Sequence, residues 1–319
     1  MKIGVLFPGY GSQFVGMAKE LYDESRIMQE YFEEAASCLD KNFVKLCFAS
    51  SDSELARIEN AYPALFLVTS GIAAVLKDQG ITIDAVAGYN LGEYGAIHAA
   101  SGLSLPDGLY LLAKYASFYE TLLSTVSVAG LRLDGVDLLQ AQELCAQASN
   151  QDARVYVGAH ETANTQLVFG DEDAIERVRT LVQEFPDIHV DTAAIEMGLH
   201  SMLMDPVVAN LKMYLEKVDF RDLSIPLYTN ADAKLVTQGS ELKTAVIKQV
   251  HVPVLWAEIC AQYAAYDLII IGGPGGKLPQ MISALYPEKT CITVTKQADI
   301  DTIKALIAEK TDKTEIVEI

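Results

Sequence analysis

The chain has 319 residues, half of them hydrophobic, which is enough to bury a large core and is typical of a globular rather than a disordered protein. Its 24 basic and 43 acidic residues give a net charge of −19, which argues against nucleic acid and anionic membranes, because both need a positive surface. No run of about 18 apolar residues occurs, so we expect no membrane-spanning segment.

The five cysteines are scattered and form no CxxC pair, which is typical of a reducing cytoplasm and predicts a cytoplasmic protein. The histidines have no spacing suited to a metal, so no metal site is predicted. The N-terminal segment that begins Met1-Lys2-Ile3 is too short for a signal peptide and predicts a first strand.

Strand-like and helix-like segments alternate along the first 125 residues, which favours a parallel α/β sheet. A strand is predicted over 2–8, followed by a turn and by helical periodicity to about residue 48. A long apolar helix is predicted over 62–78, with Pro63 in its first turn, where proline is tolerated. Three further elements follow, namely a buried strand over 81–87 and helices over 91–100 and 106–123.

Residues 126–193 change in character and predict an inserted subdomain. The predicted order is strand, helix, strand, strand, helix, strand, which is the ferredoxin-like order. These elements are predicted over 126–133, 138–149, 153–158, 165–169, 171–184 and 187–192. The core would then consist of residues 1–125 and 194–319.

After the insert, the chain returns to α/β character. The predicted elements are helices over 201–217, 240–249 and 253–265 and strands over 224–228 and 267–271. A tight turn is expected over 272–276, where glycine N–H groups could face an anion, and a loose tail is expected over 311–319.

The segment Gly88-Tyr89-Asn90-Leu91-Gly92 lies between a predicted strand and a predicted helix, as in a nucleophile elbow that presents a serine at a sharp turn. The serine position holds Asn90, whose amide is not a competent nucleophile. Asparagine adopts positive φ more readily than most residues, so it suits such a turn. Three interpretations stay open: structural retention without catalysis, a hydrogen-bond donor to a thioester oxygen, or a replacement introduced by an experimenter.

Five motifs along nearly the whole chain resemble those of the malonyl-CoA:acyl-carrier-protein transacylases and of polyketide synthase acyltransferase domains. They are FPGYGSQ over 7–13, GYNLGEY over 88–94, LHS over 199–201, VPVLW over 252–256 and GPG over 273–275. The resemblance implies an α/β-hydrolase-like core with a parallel sheet, a ferredoxin-like insert and an active cleft between them. In that family a serine takes an acyl group from coenzyme A and passes it to the phosphopantetheine thiol of an acyl carrier protein.

Most of the functional positions of that family hold other residues in this chain. The resemblance places the catalytic base at His200 and the oxyanion hole at Tyr10 and Leu91. The arginine that holds the malonyl carboxylate falls on Tyr115. Lys114 is adjacent, but one step along a helix turns a side chain by about 100°. His200 is either a histidine left in a disused cleft or a general base acting on water or a thiol.

Four tyrosines occupy positions where the family carries polar or charged cleft residues: Tyr10, Tyr62, Tyr89 and Tyr115. They would narrow and partly fill an acyl pocket and would disfavour a carboxylate, so a neutral or aromatic-compatible acyl group is expected. Independent substitutions in a disused site would explain them equally well. Ser12 and Ser201 are hydroxyls near the site by motif position, but neither lies on the elbow.

The main hypothesis is a protein of fatty-acid or polyketide assembly that has lost the serine mechanism. It would be a pseudoenzyme that binds an acyl carrier protein or acyl-CoA without a covalent intermediate and without a bound cofactor. One alternative is a thioester hydrolase or direct transferase that uses His200 on a non-carboxylated acyl group. The other is an active transacylase carrying an engineered Ser-to-Asn change. An acidic carrier would need a basic patch, for which the candidates are Lys243, Lys248, Lys277, Lys289 and Lys296.

Overall fold

The computed structural model describes residues 1–317, with side chains as far as residue 310. The strands in this part of the chain are β1 (Ile3–Phe7), β2 (Ala85–Gly88), β3 (Val128–Asp134), β4 (Val155–Thr162), β5 (Thr165–Asp171), β6 (His189–Thr192), β7 (Leu227–Tyr228), β8 (Leu235–Val236), β9 (Val254–Leu255), β10 (Leu268–Ile271) and β11 (Thr290–Thr293). The helices are α1 (Lys19–Glu24), α2 (Arg26–Leu39), α3 (Phe43–Ala49), α4 (Asp52–Leu55), α5 (Ile58–Asp78), α6 (Gly92–Ala99), α7 (Leu105–Leu123), α8 (Leu138–Ala148), α9 (Glu172–Leu181), α10 (Asp205–Leu215), α11 (Gly239–His251), α12 (Trp256–Gln262), α13 (Leu278–Leu285) and α14 (Gln297–Val317).

The main sheet has the strand order β11-β10-β1-β2-β7-β8. Its strands pair in parallel except for β7 with β8, which are antiparallel. β1 and β2 are wholly buried, as expected for short apolar strands covered on both faces. The carboxyl ends of neighbouring parallel strands therefore meet at one edge of the sheet, where α/β proteins place their binding sites.

Helix α5 has the length and mean hydropathy of a membrane-spanning helix, but 89% of its most apolar window is buried inside the protein, as in a core helix. It begins at Ile58, earlier than predicted, so Pro63 lies inside the helix and not in its first turn. Proline has no N–H to donate to the carbonyl of Glu59, four residues earlier. The Lys41 ammonium donates to that carbonyl instead, at 3.0 Å, which compensates for the missing helix bond.

The second sheet has the strand order β6-β3-β5-β4-β9. Counted within residues 126–193 alone, this is the 4-1-3-2 order that a ferredoxin-like connectivity gives. Leu131, Val168, Leu144 and Ile175 belong to a hydrophobic cluster separate from the main core. The predicted α/β class, with a parallel core sheet and a second smaller sheet, is confirmed; the division of the chain at 126–193 stays a prediction that the separate cluster supports.

Two expectations for the last third of the chain are wrong. Residues 254–255 form β9 and not the start of a helix, and β9 pairs in parallel with β4. The tail predicted to be loose belongs to α14, which continues to Val317, while residues 318–319 lie outside the described part. Ile300 and Ile303 are buried and anchor the first turns of α14, so the helix can propagate beyond them.

Candidate functional site

The turn between β2 and α6 has the geometry of a nucleophile elbow. A Cβ at Gly88 would lie 1.9 Å from the carbonyl carbon of Gly92, and a Cβ at Gly92 would lie 2.2 Å from the carbonyl oxygen of Phe7. Both positions therefore require glycine. Asn90 stands between them at φ +55°, in the left-handed region that asparagine tolerates better than most residues.

The Asn90 side chain is buried, with an exposed fraction of 3%, and all of its polar atoms are engaged. Its Nδ2 donates to Nε2 of His200 at 2.6 Å and to the carbonyl of Met197 at 2.7 Å. Its Oδ1 accepts the backbone N–H of Leu91. The amide therefore forms hydrogen bonds with both the base predicted at His200 and the Leu91 N–H predicted to form part of the oxyanion hole.

His200 lies on the loop between β6 and α10 with φ +42° and is almost wholly buried. Its Nδ1–H donates to the carbonyl oxygen of Gln249 at 2.8 Å, so Nε2 carries the lone pair that accepts from Asn90. Burial lowers the pKa of this imidazole because the charged form loses its hydration. The result is a neutral histidine whose basic nitrogen already has a donor.

Two residues that sequence reasoning missed hold the elbow in place. Asn230 accepts the backbone N–H of Asn90 at 3.0 Å and donates to the carbonyl of Gly88 at 2.7 Å. Gln249 donates from Nε2 to the carbonyl of Asn90 at 2.7 Å. A signal for Asn230 was present, because it closely follows β7, the strand beside β2 in the sheet. Gln249 lies within α11, and the sequence offered no comparable signal for it.

Glu93, on the first turn of α6, carries an unusual carboxyl group. It is 1% exposed; Oε1 accepts the backbone N–H of Asn230 at 3.0 Å, while Oε2 has no partner in the described part of the chain. Burial, with a smaller effect from the charge of Asp232, raises the pKa of Glu93 from 4.5 to about 8. The unfolded chain releases this proton at lower pH than the folded chain, so this group lowers stability progressively as pH rises from about 4.5 to about 8.

Three of the four predicted pocket tyrosines form one aromatic cluster. The Tyr10 and Tyr62 ring centroids are 6.2 Å apart, and those of Tyr62 and Tyr115 are 5.4 Å apart. Tyr119, one helical turn after Tyr115, extends the cluster, with the centroids of these two rings 6.4 Å apart. Its spacing of four residues from Tyr115 on a predicted helix could have revealed it. Tyr62 and Tyr115 are buried, and the Tyr62 hydroxyl donates to the carbonyl of Glu196 at 2.8 Å.

This aromatic cluster reaches the neighbourhood of His200. A Cβ built on Gly198 would lie 3.0 Å from Nε2 of His200 and 3.4 Å from the Tyr115 hydroxyl. Lys114 does not enter this region, since its ammonium lies 5.6 Å from the ring centroid of Tyr110 and 5.5 Å from that of Tyr214. The position predicted to have lost the carboxylate clamp is therefore occupied by an aromatic ring without a nearby replacement from Lys114.

Tyr89 makes its contacts apart from the other three predicted pocket tyrosines. Its hydroxyl donates to Oε1 of Glu161 on β4 at 2.5 Å, and its ring packs against Trp256 with centroids 5.1 Å apart. Arg132 on β3 pairs with the other oxygen of Glu161 and with Asp134. Neighbouring residues on a tight turn point in different directions, so Tyr89 connects the elbow to the second sheet while Asn90 faces His200.

The lysines predicted as a basic patch are partly engaged in local contacts. Lys248 forms an ion pair with Asp232, and Lys289 donates to the carbonyls of Ala264 and Tyr266 at 2.6 and 2.7 Å. The charge of Lys248 is therefore balanced by a carboxylate, and the ammonium of Lys289 is directed at backbone carbonyls. A continuous positive surface formed by all five lysines is therefore not supported.

Comparison with known proteins places this geometry in a family. Residues 5–269 match the family model described as the acyl transferase domain. The malonyl CoA-acyl carrier protein transacylase of Bacillus subtilis is 28% identical over 313 residues, covering 98% of this chain and 99% of that protein.

Two solved structures share the fold. A malonyl CoA-acyl carrier protein transacylase from Clostridium perfringens has a TM-score of 0.91 at 21% identity, covering 99% of this chain and 100% of its own. A malonyl-transacylase solved in complex with a type II polyketide acyl-carrier protein has a TM-score of 0.89 at 22% identity, covering 95% of this chain and 98% of its own. The chain therefore belongs to the acyl transferase domain family and is malonyl-CoA:acyl-carrier-protein transacylase-like.

Proposed function

We propose that this chain acts in fatty-acid or polyketide assembly as a pseudoenzyme that binds an acyl carrier protein or acyl-CoA without forming an acyl-enzyme. The observation that carries this proposal is the double engagement of the Asn90 side chain, which donates to His200 and accepts from Leu91. A covalent mechanism needs a nucleophile at this position, an available base and an available oxyanion donor. Asn90 supplies no nucleophile and engages the other two.

Binding of a carrier is proposed from the relatives. The Bacillus subtilis relative is named for its action on an acyl carrier protein, and one structural neighbour was solved with such a carrier bound. The pseudoenzyme assignment extends these similarities and stays a proposal. The absence of a bound cofactor and the cytoplasmic location are proposals of the same kind.

Direct chemistry by His200 has no observation in its favour. A general base must present its lone pair to water or a thiol. Nε2 of His200 accepts from Asn90 at 2.6 Å, and the residue is 1% exposed. Malonyl binding is also disfavoured, because a carboxylate beside Tyr115 would be buried without a cation.

Intact-mass spectrometry after incubation with malonyl-CoA, acetyl-CoA and octanoyl-CoA tests the covalent part. We expect no acyl adduct on the parent chain or on Asn90→Ala. Asn90→Ser is the matched variant of Asn90→Ala, since the two differ only in the hydroxyl. An adduct of Asn90→Ser with an uncharged acyl group would show that the rest of the elbow is competent. An adduct on the parent chain would overturn the proposal. Turnover without an adduct, lost in His200→Ala, would establish the hydrolase or direct-transferase alternative.

Titration with a bacterial fatty-acid acyl carrier protein tests the binding part. We expect the holo form to bind with a Kd of roughly tens of micromolar, as transient complexes of small interface do. The apo form, which lacks the phosphopantetheine arm, is the matched control and should bind more weakly. Absence of binding by the holo carrier and by octanoyl-CoA alike would contradict this part.

A further inference from the structure

Aromatic side chains and lysines share one outer face of α7 and α10. The Tyr214 ring of α10 lies beside two rings of α7, with its centroid 5.8 Å from that of Tyr110 and 5.5 Å from that of Phe118. The Lys114 ammonium lies 5.6 Å from the Tyr110 centroid and 5.5 Å from the Tyr214 centroid. The Lys217 ammonium lies 5.7 Å from the Tyr214 centroid. We call this surface the aromatic–lysine face; it consists of Tyr110, Lys114, Phe118, Met213, Tyr214 and Lys217.

The aromatic–lysine face is open to solvent. Met213 is 57% exposed and Tyr110 is 39% exposed, Lys217 is exposed, and the other three residues of the face are half-buried. Large apolar side chains that are exposed as a cluster, and not singly, are typical of interaction sites. Aromatic residues and methionine are enriched where proteins contact each other. The face therefore has the composition of a protein contact surface.

The face carries positive charge. Neither Lys114 nor Lys217 forms an ion pair or a hydrogen bond with another residue in the described part of the chain. A lysine that lies over an aromatic ring is held in place but keeps its charge. The two carboxylates of α7 are engaged elsewhere, since Asp107 accepts the hydroxyl of the helix-capping serine and Glu120 accepts a backbone N–H of α5. Both ammonium groups are therefore available to a partner.

The remaining charges of α10 lie away from this face. Two steps along a helix turn a side chain by about 200°, so Lys212 and Glu216 project from the side of α10 opposite to Tyr214 and offset each other. Asp205, in the first turn, accepts from His251 at 3.0 Å. Two positive charges thus stand together on a chain whose net charge is −19.

The size and the surroundings of the face select a short acidic partner. Tyr110 to Phe118 span about 12 Å along α7, or two helical turns. A nucleic acid or a membrane would extend beyond this length onto a protein that is negative overall and would be repelled there. A short amphipathic helix can place carboxylates on both lysines, which share the Tyr214 ring, and apolar side chains on the rings.

We propose that the aromatic–lysine face docks a short acidic amphipathic helix of a partner protein. This partner is distinct from an acyl carrier protein. Tyr115, the residue after Lys114, lies near His200 on the inner side of α7, so the face is turned away from the site that a carrier's phosphopantetheine arm would have to enter. The proposal goes beyond the proposed function and does not depend on it.

Fluorescence anisotropy of the fluorescein-labelled peptide EELLEELLEELL tests the face directly, because this peptide as a helix has leucine on one side and glutamate on the other. We expect saturable binding to the full chain with a Kd below about 1 mM. Lys217→Gln should weaken binding by at least about threefold, and Lys114→Gln/Lys217→Gln by at least about tenfold. Lys212→Gln is the matched control, since it removes the same charge from the opposite side of α10, and should bind like the parent.

Three further comparisons define the partner. The peptide EESSEESSEESS keeps the carboxylates without the leucines and should bind at least about tenfold more weakly. Raising NaCl from about 50 to about 500 mM should weaken binding of the leucine peptide to the parent more than to Lys114→Gln/Lys217→Gln, because salt screens the contacts made by these lysines. A holo acyl carrier protein should bind this double variant as it binds the parent.

The proposal is overturned by absence of saturable binding of the leucine peptide to the parent, by equal effects of Lys212→Gln and Lys217→Gln, or by equal binding of the two peptides. Tighter binding of phosphatidylglycerol vesicles or of a single-stranded oligonucleotide, lost in the double variant, would assign the face to a membrane or to nucleic acid and would also overturn it. Loss of carrier binding in the double variant would assign the face to the carrier instead. An acyl adduct on the chain, or failure of the parent to bind a carrier, would contradict the pseudoenzyme proposal without changing any of the peptide affinities.

Discussion

Replacement of Asn90 by alanine should destabilise the protein strongly, although alanine is smaller and apolar. The substitution removes the partner of three buried groups: Nε2 of His200, the carbonyl of Met197 and the N–H of Leu91. Each buried polar group left unpaired costs about 1–3 kcal/mol. Alanine at φ +55° adds about 1 kcal/mol of backbone strain. The expected loss is therefore at least about 4 kcal/mol, a large fraction of the roughly 5–15 kcal/mol typical of a folded protein.

Urea unfolding of Asn90→Ala and the parent, followed by circular dichroism, measures this loss as a fall in the midpoint at an unchanged slope. Asn90→Gly is the matched control, since glycine removes the same hydrogen bonds but accepts positive φ. It should be about as stable as Asn90→Ala, because the backbone strain of about 1 kcal/mol that glycine avoids is offset in part by its larger loss of backbone entropy on folding.

Asn90→Ala should also raise the pKa of His200. Asn90 donates to Nε2 and thereby favours the neutral imidazole, whereas an imidazolium could donate from Nδ1 to Gln249 and from Nε2 to the Met197 carbonyl, which is 3.3 Å away. NMR titration of the histidine ring would show the change. A stability loss below about 1 kcal/mol, with no rise in that pKa, would refute the claim that the amide stabilises this site.

Three further predictions concern other buried groups. Glu93→Gln should be more stable than the parent, with an advantage that grows by up to about 5 kcal/mol from pH 4.5 to about pH 8 in urea unfolding. Tyr89→Phe should lower the free energy of unfolding by about 1–3 kcal/mol, because Glu161 loses a hydrogen-bond donor. Among the five thiols, Cys38 is exposed, Cys291 is partly buried and the other three are buried, so a maleimide should label Cys38 first in the native protein and all five after unfolding.

Each of these predictions has a control. A pH-independent difference between Glu93→Gln and the parent would mean that Glu93 titrates normally. Tyr110→Phe alters an exposed tyrosine and should change stability by less than about 0.5 kcal/mol, and an equal effect of Tyr89→Phe would remove the role given to its hydroxyl. Labelling of Cys47, Cys145 or Cys260 in the native Cys38→Ser variant, identified by peptide mass mapping, would contradict the burial of these three thiols.

Local patterns in the sequence predicted most of the order of elements up to residue 271, whereas α13, β11 and α14 were not predicted. The strand that ends at Gly88, the helix that begins at Gly92 and the six elements of the 126–193 segment follow from hydrophobic periodicity and turn residues, which are local properties. The meeting of Asn90 and His200 followed from the family motifs and not from periodicity, since 110 residues separate them.

The remaining features depend on contacts between distant segments. Tyr89 and Asn90 are adjacent in sequence, yet one contacts Glu161 and the other His200, and no sequence pattern fixes which way each side chain points. Gln249 lies in an ordinary amphipathic helix, and its role arises only because α11 packs beside the elbow. The early start of α5 is stabilised by Lys41, which donates to the Glu59 carbonyl that Pro63 leaves unpaired. This contact joins distant parts of the chain and forms only on folding.

The short strand β9 has a consequence for protein engineering. Its two residues, Val254 and Leu255, come from outside the 126–193 segment but complete the edge of that segment's sheet beside Ala159 and His160. A graft of residues 126–193 into a homologue would leave the β4 edge facing whatever the host supplies, and the isolated segment would expose unpaired backbone groups prone to intermolecular pairing. A functional chimera would therefore have to carry the 254–255 segment together with the insert, so the exchangeable unit is discontinuous in sequence.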